Sequence, residues 1–345
     1  MKAMMLIFTM ILAEQVFANN SCFDNQVVKD LIQASEELND CFSSDVNKCL
    51  IDKMTIGQQR EFNAQRLVPF DRTSSELMNN ATGAVSAHFS EGTDAASGQK
   101  ISSCHIITSA HLLYTETEVR VDDKDLPALK DSVDFNVNFH TGQTCDDERR
   151  FDKKVGAQVF FKMTKKKTDF VCKIEDKKGN CLQREFYGKT DLVILKLKKY
   201  DKNDNVFFKL KTTQIATSST GDRVNCWGFP EYNDLIKLPK SMSNKMLWLQ
   251  KDAKIFAGEH ERGVLTNATA YPGMSGGGCA TSANPNELVG VLANKNNHSG
   301  RAVIDVTYET AHERPANFFS SFQYLAERYK QATGKDIADL DSECN

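Results

Sequence analysis

The sequence predicts a mainly β fold, an antiparallel barrel or sandwich with a helical segment at each end. Three observations carry this. After Arg72 the chain breaks into short β-branched runs, "GAVSAHF", "HIITSAHLL", "DLVILKLK", "DRVNCWGF", "ELVGVLAN" and "RAVIDVTY", divided by Gly, Asn, Asp and Ser. Short strands punctuated by turn residues are the pattern of antiparallel sheets that close or pack face to face. Ahead of them, from Cys22 to about Arg72, the period is helical: "NQVVKDLIQASEELNDCF" sets Val27, Val28, Leu31, Ile32 and Leu38 three to four residues apart. Behind them, "NFFSSFQYLAERYKQATG" puts Phe318, Phe319, Phe322, Leu325 and Tyr329 on one stripe, with Gly334 as a stop.

Taken from the start, residues 1–18 read as a secretory signal peptide. Lys2 precedes an apolar run from Ala3 to Ala13, and Val16-Phe17-Ala18 offers small residues at cleavage spacing. That run is too short to cross roughly 30 Å of hydrocarbon. The expected location is therefore extracellular or periplasmic, with no membrane contact after cleavage. Residues 19–78 form a helical extension, either a removable pro-segment or a retained cap. Arg66 and Arg72 in "AQRLVPFDRTSSE" offer a cleavable junction for the first, and Cys22, Cys41 and Cys49 offer a covalent tether for the second. The ten cysteines are even in number, which in an exported chain favours disulfides, and no CxxC pair supports a metal site. Cys172 and Cys181 flank the turn-rich "KIEDKKGN" and are expected to staple a hairpin. The lysine-rich "KMTKKKTD" (Lys162 to Asp169) reads as a solvated loop. A net charge of −3 gives no footing for nucleic acid. Asn19, Asn80, Asn267 and Asn297 begin glycosylation sequons.

Three short stretches bear chemistry. "HIITSAHLL" ends an apolar strand in Ala110-His111, "TDLVILKLK" opens one with Thr190-Asp191, and "YPGMSGGG" centres on Ser275. A serine hydroxyl is a poor nucleophile until an imidazole takes its proton. The imidazole in turn needs a buried carboxylate to fix its tautomer and stabilise the imidazolium. A tetrahedral oxyanion needs backbone N–H donors, and Gly273 lets the loop curl so that the N–H groups of Gly273 and Ser275 converge. Asp169, in "TDFVC", is the runner-up for the carboxylate, because a shorter apolar run follows it. His88, His105, His140, His260, His298 and His312 have no metal-ligand spacing and read as surface or core residues.

With these motifs in the order histidine, aspartate, serine, the chain resembles the chymotrypsin-fold (trypsin-like) serine peptidases over about Ala81 to Gly334. "VNCWGFP" resembles the glycine-bearing strand that opens the family's second barrel, and "LVGVLANKNN" the strand lining its cleft. The resemblance implies two six-stranded antiparallel β-barrels, with residues 79–205 carrying His111 and Asp191, residues 206–315 carrying Ser275, and residues 316–345 as the C-terminal helix and tail. It does not cover the N-terminal extension or the long insert between His111 and Asp191. It implies a secreted serine endopeptidase acting on proteins or peptides through an acyl-enzyme, monomeric and without metal or cofactor. The alternative on the same scaffold is a catalytically silent binding protein. It also implies a disulfide between Cys226 and Cys279. Pairing every remaining thiol then requires a bond from Cys22, Cys41 or Cys49 to the protease region, with Cys344 the candidate partner.

The departures from the family point to its bacterial, glutamyl endopeptidase-like branch. Met274 stands where digestive enzymes carry an aspartate that pairs with a new N-terminal amine. Ala293 stands where many relatives have a serine that bonds the aspartate, so Asp191 needs another donor. Leu112 replaces a common cysteine. By the same likeness Thr269 and Ala270 floor the substrate pocket, and Ala293, Asn294 and Lys295 form a wall with Gly300 nearby. No carboxylate sits at that floor to attract a basic side chain.

Overall fold

Alternating apolar residues need one dry face, and closing the sheet on itself supplies it. The computed structural model describes residues 68–69, 75–90, 92–113, 134–139, 153–163, 170–175, 177, 181–186, 188–215, 222–230, 247–260, 263–266, 268, 270–295 and 317–344. The signal peptide, the amphipathic run from Cys22 and "RAVIDVTY" lie outside these residues. In the first half, β2 (Thr82–Phe89), β3 (Gly92–Lys100), β4 (His105–Thr108), β5 (Asp134–Phe139), β6 (Lys153–Lys162) and β9 (Val193–Leu197) close into a barrel in the order β2-β3-β4-β9-β6-β5. Val85, Ala87, Ile106, Val137, Val193 and Leu195 fill its interior, each fully buried. The second half is a larger sheet. Its strands β11 (Arg223–Gly228), β12 (Trp248–His260), β13 (Gly263–Thr266), β14 (Gly278–Thr281), β15 (Asn284–Lys295) and β16 (Asn317–Ser320) run β12-β11-β14-β15-β16-β13, and a further β12–β13 pairing completes a ring of six. The short β10 (Lys209–Leu210) lies parallel to β15, outside that ring. The expected pair of six-stranded antiparallel barrels is present.

Several expectations are corrected. β5 and β6, assigned to the long insert, are barrel strands. The added piece is the separate hairpin of β7 (Phe170–Glu175) and β8 (Cys181–Phe186), which leaves the barrel between the neighbouring strands β6 and β9. The hairpin expected around "KIEDKKGN" is therefore there, whereas the side chains of Cys172 and Cys181 lie outside the described residues. Lys162 ends β6 and Met163 is buried, so the lysine-rich loop starts later than expected. Within the segment read as helical, Val68–Pro69 is instead a strand, β1, paired with β12 at Leu249 and Trp248. At the other end the helix, α2, covers only Gln323–Thr333, after α1 (Glu76–Ala81) near the chain start. Phe318 and Phe319 belong to β16, paired with Leu265 and Val264 of β13, and Phe319 is fully buried in the second core. Gly334, with φ 73°, stops α2 as expected. Among the described residues no helix is long and apolar enough to cross a membrane.

Cys226 and Cys279 face each other across β11 and β14, Cα atoms 4.1 Å apart, and form the disulfide that the family resemblance implied. Cys344 does not tether the N-terminal extension. It is bonded to Cys104, at the turn into β4, 240 residues away in sequence. The chain end is bound there by further contacts: Lys196 Nζ donates to Glu343 O (2.6 Å), Tyr200 OH to Cys344 O (3.2 Å), and Ser103 N–H to Asp341 Oδ1 (2.8 Å).

His105 lies beneath this strap, fully buried, its Nδ1 2.8 Å from Ser102 Oγ and its ring 4.3 Å from that of Phe160. Burial first, and the Lys196 charge second, hold its imidazole down at about 4 from an ordinary 6.5, against the weaker opposite pull of Glu343 and Asp341. Between those two values the unfolded chain takes a proton that the folded chain refuses. Acidification through that window therefore destabilises the fold, by on the order of 2–3 kcal/mol. Urea unfolding at pH 7 and pH 4.5 should show this loss in the wild type and a smaller one in His105→Gln. Equal losses in the two proteins would contradict the assignment.

Candidate active site

The ends of β4 and β9 are neighbours, since Thr108 pairs with Val193. This register brings His111 and Asp191 together from 80 residues apart. After Thr108 the chain turns into a 3-10 segment, Ala110–Leu113. Ala110, Leu112 and Leu113 are buried in the first barrel, which leaves His111 facing out with 40% of its side chain exposed. Leu112, where a cysteine is common, thus anchors by packing. Asp191 follows a 3-10 turn (Gly188–Thr190) and is almost fully buried.

Both oxygens of Asp191 are bonded to His111. Oδ1 accepts the backbone N–H and Oδ2 lies 2.7 Å from Nδ1. The donor required in place of the absent serine is thus the His111 main chain, also at 2.7 Å. A carboxylate can only accept here, so Nδ1 carries a proton, and in the neutral imidazole Nε2 then holds the lone pair. Asp169 lies outside the described residues.

Ser275 is half-buried on the loop that leads into β14. Gly273 and Gly276 both have positive φ, 84° and 77°, which only glycine adopts without strain. Gly276 has a second reason: a Cβ there would lie 2.1 Å from Ser97 O and 2.5 Å from Thr108 Oγ1. A Cβ on Gly277 would meet Trp227 O at 2.1 Å, and one on Gly278 the Trp227 ring at 2.5 Å. The glycine run therefore serves close packing of the loop as much as its curvature. Met274 is fully buried with Tyr271 and the Cys226–Cys279 pair in the second core, so burial holds the loop here without an ion pair. The Tyr271 phenol, whose OH lacks a partner among the described residues, is pushed up by the same burial.

The loop's internal bonds run from Met274 N–H to Tyr271 O (3.0 Å), from Gly277 N–H to Met274 O (2.8 Å) and from Gly276 N–H to Leu292 O (2.7 Å). Among the described residues, no acceptor takes the N–H of Gly273 or of Ser275. Two unpaired amide donors on one tight loop are what an anion needs.

Sequence reasoning missed Ser97, on β3 of the first barrel. Its N–H donates to Ser275 O (2.7 Å), its hydroxyl to Gly273 O (3.0 Å), and that hydroxyl accepts from Phe229 N–H (2.8 Å). Gln99, two residues on, donates from Nε2 to Gly276 O (3.2 Å) and accepts from Trp227 Nε1 (3.0 Å). The one signal was the run of small residues in "DAASGQ", unusual for a strand interior.

Of the expected pocket residues, Ala270 and Ala293 are half-buried. Thr269 and Gly300 lie outside the described residues, as do the side chains of Asn294 and Lys295, whose backbone continues β15. His88 bonds Thr93, a surface contact, and His105 is a core residue as described above. The one cluster of metal-ligand atoms among the described residues is Cys104, His105 and Cys344, and a disulfide already joins its two sulfurs.

A family model described as a trypsin-like peptidase domain matches residues 92–291, which include His111, Asp191 and Ser275. No curated protein matches the sequence. Among solved structures, a Glu endopeptidase bound to MPD is 12% identical, over 78% of this chain and 97% of that one, with a TM-score of 0.48. The protease Anisep from Arthrobacter nicotinovorans is 9% identical over 74% and 96%, TM-score 0.44. Mouse neuropsin, a serine protease, is 11% identical over 74% and 95%, TM-score 0.44.

Proposed function

Because the chain belongs to the trypsin-like peptidase family, we propose that it is a secreted serine endopeptidase that cleaves its substrates through an acyl-enzyme. The observation that carries this is the two-point bond between Asp191 and His111, which fixes the ring and makes Nε2 the basic nitrogen of the neutral imidazole. In this reading His111 Nε2 takes the Ser275 hydroxyl proton as Oγ attacks the scissile carbonyl. The N–H groups of Gly273 and Ser275 hold the oxyanion. The protonated imidazole then gives its proton to the leaving amine. Water repeats the sequence on the acyl group, releasing the acid and restoring Ser275. Buried Asp191 stabilises the imidazolium in both halves without taking a proton. Ala270 and Ala293, with Thr269, Asn294 and Lys295, are the candidate walls of the substrate pocket.

A fluorophosphonate tests the reading. Exported protein treated with the probe and mapped by mass spectrometry should carry one adduct, on Ser275, in a chain that has lost residues 1–18. An unlabelled Ser275 in folded protein would overturn the peptidase reading and leave the silent binding protein in its place.

A further inference from the structure

We infer that Ser97 is a positioning residue for the oxyanion donors, acting from the opposite barrel. This rests on the peptidase reading above. Every polar group of Ser97 is engaged, and three of its four bonds end on the second half of the chain. The fourth, from Thr108 Oγ1 to Ser97 O (2.7 Å), ties it to β4, three residues before His111. Ser97 thereby joins the strand that leads to the base with the loop that carries the nucleophile.

The geometry says what the hydroxyl does. Ser97 Oγ holds the carbonyl of the peptide between Gly273 and Met274, and the N–H of that same peptide is held by Tyr271 O. The plane is fixed at both ends, which restrains rotation about the Gly273 Cα–C bond (ψ), one of the two torsions that relate this plane to the preceding one carrying the Gly273 N–H. Ser97 N–H holds the carbonyl of Ser275, one peptide beyond that residue's own N–H. The two amides that have no acceptor are thus each flanked by a plane that Ser97 anchors. Glycine at residue 273 restricts its own backbone least of any residue type, so an external anchor has most effect there. Phe229 N–H, donating into the same hydroxyl, orients its proton towards Gly273 O.

Ser97→Ala removes the hydroxyl and keeps the backbone bond. Since the donors remain but lose alignment, kcat should fall about tenfold, less than the loss of a donor itself, with KM within about twofold. A peptide boronic acid adds Ser275 Oγ to boron, the proton passing to His111, and sets an oxygen where the oxyanion forms. Its affinity should weaken about tenfold, in step with kcat. Ser97→Cys, close in volume but a weak donor, should behave likewise and serves if the alanine variant does not fold. A lower melting temperature with kcat per labelled site unchanged would make the role structural only and overturn the inference. So would a fall in kcat without weaker boronate binding. A wild type that neither hydrolyses peptides nor takes the fluorophosphonate would instead overturn the peptidase reading, and this inference with it.

Discussion

Alanine in place of Ser275 should lower kcat/KM on a peptide substrate by roughly 10⁵-fold or more, with the melting temperature unchanged. The expectation of an intact fold is specific. Ser275 contributes its carbonyl to Ser97 through the main chain, and its side chain is half-exposed, so the substitution deletes Oγ and little else. What remains is a binding cleft with two amide donors, and water must then act without the nucleophile. Kinetics on purified protein, with the fluorophosphonate adduct counted in parallel, check this. Activity of the alanine variant within tenfold of the wild type would remove Ser275 from the mechanism.

Asp191→Asn should be almost as severe, roughly 10⁴-fold in kcat, although the side chain changes by one atom type. His111 presents two donors to this carboxylate, the fixed backbone N–H and Nδ1–H. An amide has one acceptor oxygen to offer. The backbone N–H cannot change its nature, so the amide oxygen stays with it and the amide NH2 faces Nδ1. Nδ1 must then become the acceptor, which moves the ring proton to Nε2, and the base is lost. Ring proton resonances should report the exchanged tautomer, and a variant that keeps wild-type kcat would show that Asp191 does not set it.

The sequence was most legible where chemistry confines residue type. His111, Asp191 and Ser275 each sit at a strand end or turn with a distinct local context, and their order along the chain agrees with one mechanism. The Cys226–Cys279 bond was legible only through the family resemblance, yet register confirms it, because those residues are direct partners across two strands. Ser97 was not legible, since a small polar residue in "DAASGQ" acquires meaning only when a loop almost 180 residues away arrives on it. Phe318 and Phe319 misled for a related reason. Their spacing to Phe322 and Leu325 fits a helix, but pairing with β13 outweighs local period when it closes a barrel. The strap from Cys104 to Cys344 was equally hidden, since ten cysteines permit many pairings and the parity argument could not choose among them.

That strap also bears on how such a molecule would age among others of its kind. A peptidase is exposed to its own cleft, and surface loops are the usual places for a cut. Because Cys104 is joined to Cys344, any single cut between them converts the chain into two pieces that remain one covalent body. Ser275 and Asp191 both fall inside that span, so neither can be shed by one event. Between Cys226 and Cys279 a second bond encloses a smaller circle within the first. Within this span, a second cut, or a reductant acting after the first, is needed before a fragment can leave.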